Sequence, residues 1–138
     1  AAEIDESLFS IIDYFTPNET EASFYVDHNV ETHEDAEKAA MQLIEKGIKN
    51  VVITLGEKGA FFANNEEKFS LPVANLSNPV VDTTGAGDAF NAGFAAALTE
   101  GQNIKDALKF ASATAGLSTT KIGTANSMPS REEIDKLL

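Results

Sequence analysis

Asp82-Thr83-Thr84-Gly85-Ala86-Gly87-Asp88 leads directly into the apolar run Ala89-Phe90-Asn91-Ala92-Gly93-Phe94-Ala95-Ala96-Ala97-Leu98. In that run Phe90, Gly93, Phe94, Ala97 and Leu98 recur at the spacing of one helix face. The short apolar piece Val80-Val81 stands before it, after Pro79, so the pattern predicts a strand end that turns through two glycines into a helix. The first amides of a helix have no intrahelical partners and lie at the positive end of its dipole, and glycine lets an anionic group come close to them. A phosphate fits such a place. Asp88 falls at about the first helical turn, where a carboxylate would repel a bound phosphate unless it accepts the proton of an attacking hydroxyl. The alternative is that Asp88 caps the helix and the glycines only make a turn.

Two other phosphate loops fail by letter. A Walker A loop needs Gly-Lys-Ser/Thr, and here Gly87 is followed by Asp88 and Ala89. The dinucleotide fingerprint needs a third glycine where Phe90 stands, which disfavours a dehydrogenase-type domain.

The stretch resembles the second signature of the ribokinase, or PfkB, family of carbohydrate kinases, Asp-Thr-x-Gly-Ala-Gly-Asp followed by a small-residue helix. The match is full from Asp82 to Asp88 and continues through Asn91, Ala92 and Gly93. The resemblance implies that Asp88 is the base that deprotonates a sugar hydroxyl. It implies too that the amides of Gly85, Ala86 and Gly87 form an anion hole for the transferred phosphoryl group.

Composition sets the frame. A chain of 138 residues is long enough for one domain with a true core, and 43% hydrophobic with 23% charged residues is ordinary for a globular protein. No run reaches the length of a membrane span, and the absence of cysteine excludes a disulfide framework and suits a reducing cytoplasm. A formal charge of -12 argues against general nucleic-acid binding. Anionic ligands must then be held locally, by amides, helix N-termini and a metal cation.

Upstream, a helix is expected through Leu8, Phe9 and Ile12, and Ile11-Ile12-Asp13-Tyr14-Phe15 reads as a buried strand ending at Thr16-Pro17. With no initiator Met and no earlier strand for this helix to answer to, Ala1 reads as an internal cut. Asn18 and Glu21 then share one helix face. They suit either a capping box or a joint address for a hydrated divalent cation and a phosphate. Asn-x-x-Glu after a strand end also matches the resembled family's motif for positioning magnesium and phosphates. Thr32 to Asp35 opens a scaffold helix with Ala36, Ala39, Ala40, Leu43 and Ile44 inward. Val51 to Leu55 reads as a strand covered on both faces, and residues 60–72 as an edge hairpin. His28 and His33 lie in polar surroundings with no partner at ligand spacing and read as surface residues.

Thr54-Leu55-Gly56-Glu57-Lys58-Gly59 is a strand end with glycines at both corners of a turn, either plain or open to close approach by a nucleotide. In the resembled family this turn borders the ATP phosphates and ribose, and Thr54, Gly56 and Gly59 match it, with Glu57 and Lys58 between. Asn103 starts a helix along which the resemblance lays the adenine, with Ser112 where Asn or His is more usual. The run from Ser118 to Ser127 is rich in oxygen and poor in charge, suited to a monovalent cation or to a plain loop before a final helix capped by Ser130 and Glu133. For potassium the resemblance implicates Asp82, Thr84, Ser118, Lys121, Gly123 and Ser127.

Alternating strands and helices predict an α/β three-layer sandwich, ribokinase-like, with a mostly parallel sheet incomplete at the N-terminus. The resemblance implies that residues 1–138 are the C-terminal nucleotide-binding part of a kinase, without the N-terminal sugar-binding part and lid. It further implies ATP, Mg2+ and K+ as ligands, a cytoplasmic homodimer, and phosphorylation of a sugar. The form Thr16-Pro17-Asn18-Glu19-Thr20-Glu21-Ala22 favours ribose over fructose, 2-keto-3-deoxygluconate or a nucleoside. A non-catalytic nucleotide-binding module is the competing class.

Overall fold

Tight turns between short apolar runs decide the sheet. The computed structural model describes residues 4–138, in which one sheet takes the order β1 (Tyr14–Phe15), β2 (Asn50–Thr54), β3 (Ala60–Asn64) and β4 (Lys68–Leu71). β1 and β2 run parallel, while β2–β3 and β3–β4 are antiparallel. The sheet is therefore mixed rather than mostly parallel. The connections after β2 and β3 are too short for the crossover that parallel neighbours require.

The chain divides into two compact units, Ala1–Pro72 and Val73–Leu138. In the first, α1 (Glu19–Tyr25) and α2 (His33–Glu45) begin with capping boxes, Asn18 with Glu21 and Thr32 with Asp35. The expected apolar face of α2 is buried in one cluster with Val51 and Ile53 of β2 and Phe61 and Ala63 of β3. Val52 and Phe62, on the opposite sheet face, are equally inaccessible, as expected for strands covered on both sides. The N-terminal segment departs from expectation. A 3-10 helix occupies Glu6–Ile11, and the strand shrinks to Tyr14–Phe15, neither residue buried. Residues 1–3 of the expected helix lie outside the described residues.

The second unit holds α3 (Ala86–Thr99), α4 (Ile104–Ser118) and α5 (Arg131–Leu137). Asn103 caps α4, and Ser130 with Glu133 forms the expected box on α5. Glycine makes the α3–α4 contact close. A Cβ on Gly93 would stand 2.6 Å from Thr114 Oγ1 and 3.1 Å from Ala111 Cα. Val80 and Val81 form no strand. Both are exposed, and the amides of Val81 and Asp82 instead donate to the Thr119 carbonyl, at 2.8 and 3.1 Å. No helix among the described residues is long and apolar enough to cross a membrane.

Candidate functional site

Gly85 sets the start of α3. It is the N-cap residue in the left-handed region at φ 77°, a conformation glycine adopts without a Cβ penalty, and no side chain caps the helix. The Ala86 amide closes a turn on the Thr83 carbonyl at 3.2 Å, so of the three expected anion-hole amides one is engaged. The amides of Gly85, Gly87 and Asp88 make no hydrogen bond among the described residues. Nothing lies within 4 Å of where a Gly87 Cβ would project, so the fold itself does not demand glycine there. The Asp88 side chain is exposed in the first turn and bonds no group among the described residues. It therefore does not cap α3.

Asp82 is held tightly. Its Oδ1 accepts from the Thr84 amide and its Oδ2 from the Gly123 amide, both at 2.9 Å. Amides that bond the ionised form, Gly123 foremost and then Thr84, draw the carboxyl down to about 2. This clamp gathers Asp82, Thr84 and Gly123. Ser118 closes α4 with its hydroxyl on the Ala115 carbonyl at 2.7 Å, and the fully buried Ser127 bonds the Thr124 carbonyl at 2.6 Å. The Lys121 ammonium pairs with Glu133 at 2.9 Å, and Glu133 is itself drawn to about 2, first by the Ser130 amide. The donors present are one carboxylate, hydroxyls and carbonyls, a set that suits a hard cation. Among the described residues no group of three or more His, Asp or Glu side chains stands close enough to hold a metal ion. Ser112 is half-buried on α4.

In the first unit the C-terminal edge of the parallel pair joins two predicted motifs. The Thr54 amide donates to the Pro17 carbonyl at 3.0 Å, and Asn18 and Thr54 form an isolated parallel bridge. Asn18 Oδ1 accepts from the Glu21 amide at 2.8 Å and Glu21 Oε2 from the Asn18 amide at 3.0 Å. The capping reading is thus observed, yet Asn18 Nδ2 and Glu21 Oε1 remain for another partner. Gly56–Lys58 is one 3-10 turn closed by Gly59, at φ 90°. A Cβ at Gly59 would come within 2.0 Å of the Leu71 carbonyl oxygen, so only glycine fits. The amides of Gly56 and Glu57 make no hydrogen bond among the described residues. The Lys58 ammonium donates to the Glu31 carbonyl at 2.8 Å, and Lys58 borders a cavity of about 250 Å³ with Glu19, Val30, Glu31 and Leu55.

The sequence profile of the pfkB family carbohydrate kinases matches residues 1–131. The chain belongs to this family. It is 41% identical over 130 residues to the ribokinase of Haemophilus influenzae, covering 94% of this chain and 42% of that protein. It is 36% identical over 136 residues to the deoxyribokinase of Salmonella typhimurium, covering 99% of this chain and 44% of the relative. The structure of Arabidopsis thaliana ribokinase complexed with ribose and ATP superposes with a TM-score of 0.91 at 38% identity, over 97% of this chain and 43% of that one. The fold is accordingly that of part of a ribokinase. The chain spans less than half the length of these pfkB relatives.

Three contacts lie outside the expected motifs. His33, expected at the surface, is half-buried and bonds Lys58 and Ser70, and His28 bonds the Asp35 carbonyl at 3.2 Å. The Thr119 carbonyl ties down the approach to Asp82. None of the three has a motif to announce it, because the partners stand seven residues away or more.

Proposed function

We propose that this chain is the C-terminal, nucleotide-handling part of an ATP-dependent kinase that phosphorylates a sugar hydroxyl, ribose being the best-supported sugar. The observation that carries the proposal is at the start of α3. An exposed carboxylate that caps nothing stands beside the unengaged amides of Gly85 and Gly87, with open space above Gly87. Asp88 takes the hydroxyl proton as the sugar oxygen forms its bond to the γ-phosphorus and the bond to the β-phosphate oxygen breaks, releasing ADP. The amides stabilise the charge on the phosphoryl oxygens in transit.

The amides of Gly56 and Glu57 offer the same chemistry to the nucleotide, with Thr54, Lys58 and Gly59 shaping the turn and Ser112 along the adenine. Asn18 and the free oxygen of Glu21 would hold water on a magnesium ion, which neutralises phosphate charge when bound. Asp82, Thr84, Ser118, Lys121, Gly123 and Ser127 would surround potassium, several through main-chain oxygens. The pfkB relatives support this reading, since ribokinases stand among them with a structure of one bound to ribose and ATP. The deoxyribokinase, at 36% identity, is the second reading for the sugar.

Calorimetry tests the nucleotide part directly. The folded chain is expected to give saturable heat with millimolar Mg-ATP, weakly because each unit offers only a few amides. A chain that is folded by circular dichroism and gives no heat would overturn it.

A further inference from the structure

We infer that His33 is a positioning residue that fixes the Gly56–Gly59 turn, and with it the two open amides the nucleotide meets; the inference rests on the nucleotide reading above. His33 is the first residue of α2, and both of its ring nitrogens have partners outside that helix. Nε2 lies 3.0 Å from the Lys58 carbonyl oxygen and Nδ1 lies 3.2 Å from Ser70 Oγ on β4. A carbonyl only accepts, so Nε2 carries the hydrogen and Nδ1 accepts from the serine hydroxyl in the neutral ring.

One side chain therefore joins three pieces of backbone: the start of α2, the turn and the second strand of the hairpin. No other side chain among the described residues hydrogen-bonds the main chain of the turn. The turn's own main-chain bonds, Leu55 amide to Gly59 carbonyl at 2.8 Å, Lys58 amide to Leu55 carbonyl at 3.0 Å and Gly59 amide to Gly56 carbonyl at 3.1 Å, close it on the paired ends of β2 and β3. His33 adds the tie from the turn's outer residue to α2 and β4. Gly59 also abuts Leu71 and Pro72, next to Ser70. His33 and the end of β4 thus together hold the last residues of the turn. The Lys58 ammonium on the Glu31 carbonyl adds a second tie, but through a long exposed chain that costs more entropy to order.

The test compares His33→Ala and His33→Gln with the unsubstituted chain by amide hydrogen exchange, Mg-ATP calorimetry and thermal melting. His33→Ala is expected to speed exchange at the Lys58 and Gly59 amides and to raise the Mg-ATP dissociation constant, each by about three- to tenfold, the worth of one neutral hydrogen bond. The melting temperature is expected to stay close to that of the unsubstituted chain. His33→Gln, whose amide can donate to the Lys58 carbonyl, is expected to restore both. If His33→Ala fails to fold, Ser70→Ala, which removes only the Nδ1 partner, is read in the same way and is expected to shift both measurements in the same direction. Unchanged exchange and affinity overturn the inference, as does faster exchange spread along the whole of α2. If the unsubstituted chain binds no Mg-ATP while the exchange effect persists, the nucleotide reading falls, and His33 is left as a tie with no ligand to position.

Discussion

Asp88 is the third residue of α3, behind the Gly85 N-cap, and caps nothing, so its substitution separates chemistry from stability. In the protein that carries this chain, Asp88→Asn keeps shape but cannot accept the hydroxyl proton. Turnover is expected to fall by about 10²- to 10⁴-fold with the melting temperature nearly unchanged. Steady-state kinetics and a melting curve on one preparation check this, and near-normal turnover would sink the mechanism. Asp82 is the opposite case, a carboxylate whose bonds hold the fold. Its folded pKa of about 2 lies below the ordinary 3.8, so the stability it contributes is complete above that range and is lost as the pH falls through about 2. Asp82→Asn is expected to lower the melting temperature near pH 7 and to flatten the acid loss between about pH 4 and 2. The flattening is partial because Glu133 titrates in the same window. A variant whose pH profile runs parallel to that of the parent would show that the clamp does not form.

The α3–α4 contact makes the element-scale prediction. Gly93→Ala places a methyl against Thr114 and Ala111, with Thr114 Cβ at 2.9 Å and little room to yield inside a helix pair. Such overpacking costs typically 1–3 kcal/mol, read as a lower denaturant midpoint. A midpoint equal to that of the parent would show that the pair separates freely. This contact also shows what the sequence discloses. The period of Phe90, Gly93, Phe94 and Ala97 marks the buried face of α3, and Ala36 to Ile44 that of α2, because a helix is written in neighbours three and four residues apart. The boxes of Asn18, Thr32 and Ser130 are equally local. Strands are different, since their existence depends on a partner. Val80-Val81 looks like a strand end, but the amides of Val81 and Asp82 go to the Thr119 carbonyl, and Ile11-Ile12 yields to a 3-10 turn. The site divides along the same line. The amides around Gly87 follow from a short motif, whereas the Asp82–Gly123 and His33–Lys58 bonds bridge 41 and 25 residues and leave no trace in spacing.

For the molecule as a whole, a net charge of -12 means that no general positive field draws an anionic nucleotide in. Each unit instead supplies its own open amides, at Gly56 and Glu57 in one and at Gly85, Gly87 and Asp88 in the other. A cation is the remaining way to offset charge, and the segment from Ser118 to Ser127, drawn to Asp82 through Gly123 and Thr119, is the oxygen-rich candidate. Asp82 keeps a lone pair on each oxygen beyond the amide it accepts, so the clamp and a bound ion are compatible. In the protein that carries this chain, potassium is expected to raise phosphoryl transfer above the rate in sodium at equal ionic strength, since equal ionic strength cancels general screening. If the ion acts on the nucleotide site, linkage requires that Mg-ATP tighten potassium by the factor by which potassium tightens Mg-ATP, on the order of fivefold or more for a coupled pair. Paired titrations of Mg-ATP in potassium and in sodium measure one side of that equality, and potassium titrations with and without Mg-ATP measure the other. Equal rates in both salts would remove the cation from Asp82 and leave the clamp as the reason this aspartate is there.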